Sequence, residues 1–349
     1  MNKRWIMTAA AAWLAVVSTG WAIDQIRTTA KEKSMVRGTI VGFSPKGIEI
    51  KATGGGDVVR EIPANEIVSV IFEDEPPALL NAQRHILEGD YTDALTALEK
   101  MQAEDAKRSE IGEEIEFCKA YATAQLALAG NGSVTEAGGQ MVKFITEKAK
   151  SFHYYQCCEL VGHLLVASGK YDKAEGYYAK LGEAPWPDYK MRAGTAMGRA
   201  LLAQGKTAEA AKAFDEVLGG DAGGDLAETQ RMMAKVGKAR CMAAGEKVDQ
   251  AIRILNDIID KADADNLELN ALAYNALGTA LHKAGKPKEA VLAFLHVDLL
   301  YSGAPEAHAE ALANLAKLFL EIHKPEHARR AQQTLQDRYK SSHWAEAAK

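Results

Sequence analysis

The stretch "HKAGKPKEAVLAF", residues 282–294, reads as a helix that stops, turns within a few residues and starts again, and the chain repeats it. Related stretches are "ILEGDYTDALTAL" (86–98), "VASGKYDKAEGYY" (166–178) and "LAQGKTAEAAKAF" (202–214). Taking the alanine of each as an anchor (Ala94, Ala174, Ala210, Ala290), a glycine stands five residues earlier: Gly89, Gly169, Gly205 and Gly285. A large apolar residue follows four positions later (Leu98, Tyr178, Phe214, Phe294), and a very small one precedes by twelve (Ala82, Gly162, Gly198, Gly278). Weaker copies surround Ala251, with Glu246 in the glycine place, and Ala328, with His323 there. The later anchors step by 36, 41, 39 and 38 residues, and the first gap of 80 leaves room for one degenerate unit around Ala137.

Glycine just past a helix takes the left-handed conformation without a Cβ penalty, so it caps the first helix. The anchor alanine and its i+4 partner share one face of the second helix, and the small residue lets that face approach the first helix closely. Each unit is therefore an antiparallel helix pair that cannot bury its apolar stripe alone, and stacked pairs form a solenoid. The fold class is mainly α: a solenoid of about seven antiparallel helix pairs. Alanine dominates the 47% hydrophobic fraction and aromatics are only 7%, which suits close helix packing.

The best copy, "AYNALGTALHKAGKPKEAVLAF" (273–294), carries Tyr274, Leu277, Gly278, Gly285, Ala290 and Phe294 in an order that resembles the tetratricopeptide repeat family. The resemblance covers residues 77–349, although the steps exceed that family's usual 34 residues. It implies a right-handed superhelix whose first helices line a concave groove. Carried over by position, groove residues are Gln156, Glu159 and His163 in the third pair, Arg192, Thr195 and Arg199 in the fourth, Asn275, Thr279 and His282 in the sixth, and Lys317 in the seventh. The fifth pair adds Arg231 and Lys238 if Gly237 holds the tight-packing position; Ala239 is the competing register. Arg192, Arg199, Arg231, Lys238 and Lys317 together imply a basic groove suited to a carboxylate-rich or C-terminal peptide. The ending "LQDRYKSSHWAEAAK" (335–349) resembles those of envelope-located bacterial members.

Ahead of the repeats the period changes. Residues 1–22 show a basic start at Lys3 and Arg4, an apolar run from Trp5 to Val17 and a small-residue site at Gly20 to Ala22, the three parts of a secretory signal. An uncleaved membrane anchor is the other reading of that stretch. Residues 35–74 alternate apolar and polar, predicting four strands at 35–43, 47–52, 57–62 and 67–72, a small sheet whose layout resembles an SH3-like or Sm-like barrel. Gly54 to Gly56 reads as a hairpin tip, since no Lys-Ser/Thr pair and helix follow it.

Net charge is −5, and about −7 once Lys3 and Arg4 are removed, which argues against nucleic acid. Cys118, Cys157, Cys158 and Cys241 all fall in predicted helices and read as small buried apolar residues rather than disulfides. No nucleophile–base pair, ligand-spaced cluster or cofactor motif stands out; His323 and His327 are four apart but flank Pro325 at a turn. The sequence therefore predicts an exported, non-enzymatic scaffold of a bacterial periplasm or envelope with a protein or peptide partner and no metal or cofactor. A structural component of an envelope assembly and an accessory subunit of a cell-wall enzyme are the alternatives.

Overall fold

All seven anchor alanines are buried, from Ala94 to Ala328, and each lies in a helix pair. The computed structural model describes residues 23–29, 34–54 and 57–347; the expected signal segment lies outside them. The pairs are α1 (Pro77–Glu88) with α2 (Tyr91–Leu98), α3 (Ser109–Leu128) with α4 (Val134–Glu147), and α5 (Tyr154–Ala167) with α6 (Tyr171–Gly182). Next come α7 (Pro187–Ala203) with α8 (Thr207–Leu218), and α9 (Asp225–Ala244) with α10 (Val248–Lys261). The last are α11 (Leu267–Lys283) with α12 (Pro287–Leu300), and α13 (Pro305–Glu321) with α14 (Pro325–Tyr339), followed by a short α15 (His343–Ala347). Proline occupies the first turn of α1, α7, α12, α13 and α14, where its missing N–H costs nothing. At the last turn His323 takes the left-handed conformation (φ 59°) that glycine takes at Gly89, Gly169, Gly205 and Gly285.

The spacing of small and large residues is a contact. A Cβ on Gly278 would meet the Phe294 ring at 2.7 Å, one on Gly198 would meet the Phe214 ring at 2.5 Å, and one on Gly162 would overlap Tyr178. Gly237 also abuts Phe214, so that ring lies between α7 and α9 and welds one pair to the next. Ala239 and Leu255 are both fully buried and hold the within-pair places of the fifth unit, which settles the register in favour of Ala239.

The small sheet has five strands rather than four: β1 (Asp24–Thr28), β2 (Met35–Ser44), β3 (Gly47–Ala52), β4 (Val59–Pro63) and β5 (Ile67–Ile71), in the order β4-β3-β2-β1-β5 with every pairing antiparallel. The unforeseen β1 reads "DQIRT", with Ile26 its one apolar residue, so no alternating hydrophobic signal marks it. Its buried face is instead Asp24, Ile26 and Thr28. Asp24 is fully partnered: it accepts from the Ile40 and Glu73 backbone N–H groups at 2.8 Å each and pairs with Arg108 of the α2–α3 connection at 2.7 Å. The sheet shares one core with the first repeats, in which Ile26, Ile48 and Ile50 join Leu79, Leu98, Ile111 and Ile115.

Two glycine substitutions separate helix propensity from packing. Gly176→Ala in α6, where a Cβ meets nothing within 4 Å, is expected to stabilise by about 0.5–1 kcal/mol. Gly237→Ala displaces the Phe214 ring and is expected to destabilise by about 1–2 kcal/mol net of the same propensity gain. Denaturant unfolding of both variants checks the difference in sign.

Candidate functional site

The odd-numbered helices α3 to α13 line the inside of the solenoid. Gln156, Glu159 and His163 of α5 and Arg192, Thr195 and Arg199 of α7 border one cleft of about 250 Å³, closed by Gln125 of α3, Gln230 of α9 and Glu268 of α11. The structure thus gathers six of the twelve residues named from sequence. The other six are elsewhere. Asn275 is fully buried, donating to the Ala307 carbonyl at 2.8 Å; Thr279 caps back to the Asn275 carbonyl; His282 faces Glu321 across the α11–α13 seam; and Lys317 is exposed. Arg231 donates to the Gly220 and Ala222 carbonyls in the α8–α9 connection, and Lys238 pairs with Asp215 of α8, as the Ala239 register requires.

The expected basic groove is corrected by its partners. Arg192 forms a two-pronged pair with Glu159, its Nε 2.9 Å from Oε1, and lies over the Tyr189 ring. Arg199 reaches Glu268 at 3.1 Å and Glu306 at 3.0 Å. Burial lowers the Arg199 pKa, but Glu306 and Glu268 more than offset it, so the net shift is upward and the charge is held. Arg240, unremarked in the sequence, pairs with Glu310 at 2.7 Å. Glu268, Glu306 and Glu310 lie on α11 and α13, tens of residues from the arginines they meet, so no local pattern signals them.

Those pairs fold the end of the chain back on its middle. The Ser341 hydroxyl donates to the Gly132 carbonyl, the His343 ring meets the Ala167 carbonyl at 3.2 Å and Tyr171 edge-on, and Gly130 (φ 95°) abuts the Arg338 carbonyl where any Cβ would collide. Two further cavities, of about 270 and 260 Å³, continue the central space toward α15 and toward the start of α13, and Arg199 borders all three. Arg199→Glu places three carboxylates at this junction. The expected result is an unchanged helical signal in circular dichroism with a larger radius of gyration in solution scattering.

A separate cavity of about 270 Å³ lies between β5, α1, α3 and α5. Glu114 is buried there, paired with His153 at 2.9 Å, with Gln83 donating to it at 3.3 Å and the Cys118 thiol at 3.7 Å. His153 stacks on Phe117 at 3.4 Å. This Cys–His–carboxylate grouping is not built for nucleophilic attack, since burial first and Glu114 second push the Cys118 thiol well up, away from the reactive thiolate. All four cysteines are buried and free. Among the described residues one group of metal-ligand types, His85, Glu88 and Asp90, sits together, but Arg84 already holds Glu88 at 2.7 Å.

Beside this cavity, burial raises the Glu75 carboxyl from 4.5 to about 8, against the Phe72 N–H that lowers it, with Glu114 adding to the rise. The folded state therefore keeps a proton that the unfolded chain releases, and this contribution to stability is full below 4.5 and lost as pH rises through about 8. Glu75→Gln is expected to melt a few degrees above the parent at about pH 9 and to match it in acid, by thermal unfolding across pH.

No protein-family model matches the sequence, and no curated protein matches it; solved structures do. A tetratricopeptide repeat protein from Parabacteroides merdae ATCC 43184 is 15% identical, with a TM-score of 0.51 over 78% of this chain and 97% of that one. NprR in complex with its cognate peptide NprX is also 15% identical, with a TM-score of 0.48 over 80% of this chain and 83% of that one. The chain has the tetratricopeptide-repeat solenoid fold.

Proposed function

We propose that this chain is a non-enzymatic scaffold of a bacterial periplasm or envelope that holds a segment of a partner protein in the central cleft. The carrying observation is the cleft itself: polar side chains of five successive inward helices converge on one cavity that remains open within a closed solenoid. The export half rests on the three-part pattern of residues 1–22. Charge exchange is the recognition mechanism. Arg199 holds Glu268, whose side chain is 54% exposed, and a pair so exposed contributes only about 0–1 kcal/mol. A carboxylate on the partner, from an acidic side chain or a C-terminus, takes the place of Glu268 with little net loss and gains a charge-assisted hydrogen bond. Arg199 keeps Glu306 meanwhile.

A photo-crosslinking amino acid at His163, inside the cleft, is expected to capture a partner polypeptide in cells, and one at Lys212, on the outer helix α8, is not. Capture from Lys212 alone sinks the cleft reading. The second reading, a structural component that associates through its outer face, is favoured by Leu292, Leu299 and Leu300 of α12, which stand 60%, 72% and 62% exposed. Stable self-association of the purified chain, abolished by Leu299→Lys, selects it.

A further inference from the structure

We infer that the cavity between the sheet and the first repeats is a pocket for a basic side chain of a bound polypeptide. Its volume of about 270 Å³ is sufficient for one long side chain and its flanking backbone. Gln83 in its lining is 7% exposed; its amide N–H donates to Glu114, and its Oε1 has no hydrogen-bond partner. An amide oxygen left so is destabilising, and a donor entering the cavity relieves it.

Glu113 Oε1, next in sequence to Glu114, is also buried without a partner, so unmet acceptors exceed donors beside this cavity. Its lining agrees: Glu114 is acidic, and none of the described residues bordering the cavity is a lysine or arginine. The walls are the rings of Phe117, Tyr121 and Tyr189. Aromatic faces carry negative potential and attract a guanidinium or ammonium placed over them. Donor-rich, positively charged and tolerant of ring faces describes an arginine or lysine side chain and excludes carboxylates, phosphates and plain aliphatic groups. The entrance is apolar, with Val68 at 36% and Leu87 at 49% exposed, which suits the methylene stem behind a basic head.

Isotope-labelled protein titrated with acetyl-Gly-Xaa-Gly-amide peptides tests this, reading the side-chain amide resonances of Gln83, which borders this cavity and not the central cleft. Arginine and lysine peptides are expected to shift those resonances and to bind at least tenfold more tightly than citrulline or norleucine peptides. Citrulline keeps the donors but not the charge. Equal binding of citrulline and arginine overturns the inference, as does the absence of binding by all four. Gln83→Leu is expected to weaken arginine binding about tenfold. Because that residue is in the core, Val68→Trp at the exposed rim is the companion variant: it fills the entrance without disturbing the fold and must also abolish binding. Binding that survives Val68→Trp overturns the site. The peptides are too short to need the central cleft, so their failure leaves the crosslinking result at His163 to be judged separately.

Discussion

The solenoid depends on one contact, an aromatic ring or leucine side chain seated where the facing helix carries only glycine or alanine. Phe214 shows it most fully, with Gly198 of its own pair on one side and Gly237 of the next pair on the other. Interhelical distance is set by what stands at the crossing, and glycine permits the closest approach. A fully buried phenylalanine then contributes a few kcal/mol of transfer free energy at a position that ties two units into one core. Because each unit is stabilised by its neighbours, the contact propagates order along the array.

The closure of the array has a different origin. Arg199 to Glu306 and Arg240 to Glu310 join helices 107 and 70 residues apart, and the Gly130–Arg338 approach joins the second pair to the last. Ion pairs of this partly buried kind add modest net stability, because desolvation consumes much of the Coulomb gain, but they discriminate strongly against arrangements that leave a charge alone. Their effect here is one of registry. Of the ways an array of seven pairs could coil, they favour the one that brings α13 to the inner face of α7 and α9.

This division explains what was legible in the sequence. The repeat grammar is local, with every element within sixteen residues of its partner, so Ala82 with Leu98 and Gly278 with Phe294 were readable before any coordinate. The positions facing inward in the third and fourth pairs came from the family resemblance, laid onto that grammar residue by residue. The electrostatic character of that face did not, because Glu268 and Glu306 reach it only after the chain has coiled back. Arg192 and Arg199 look like surplus cations in sequence and are paired in space. Strand β1 was hidden for a related reason: its inward residues include Asp24 and Thr28, whose burial makes sense only when the Ile40 and Glu73 amides and Arg108 are present to meet Asp24. Pattern reading finds buried apolar groups and misses buried polar groups satisfied from a distance.

The two ends of the array meet the same physical demand in unlike ways. A terminal repeat exposes the face its neighbour would have covered, and solubility requires a cap. At the beginning the sheet supplies it, folding Ile26, Ile48 and Ile50 into the same core as Leu79. At the end, α14 buries Leu335 and Tyr339 against α13, and the Tyr339 hydroxyl meets buried His308 at 2.8 Å, whose other ring nitrogen meets Asp298 at 2.9 Å. The following α15 then turns to the middle of the chain instead of to solvent. Since the sheet borders one cavity and α15 another, both caps also form walls of spaces that a longer open solenoid would leave as a single groove. The short array thereby acquires enclosed clefts whose shape depends on its ends, and the residues that cap the fold are the ones that delimit what can enter it.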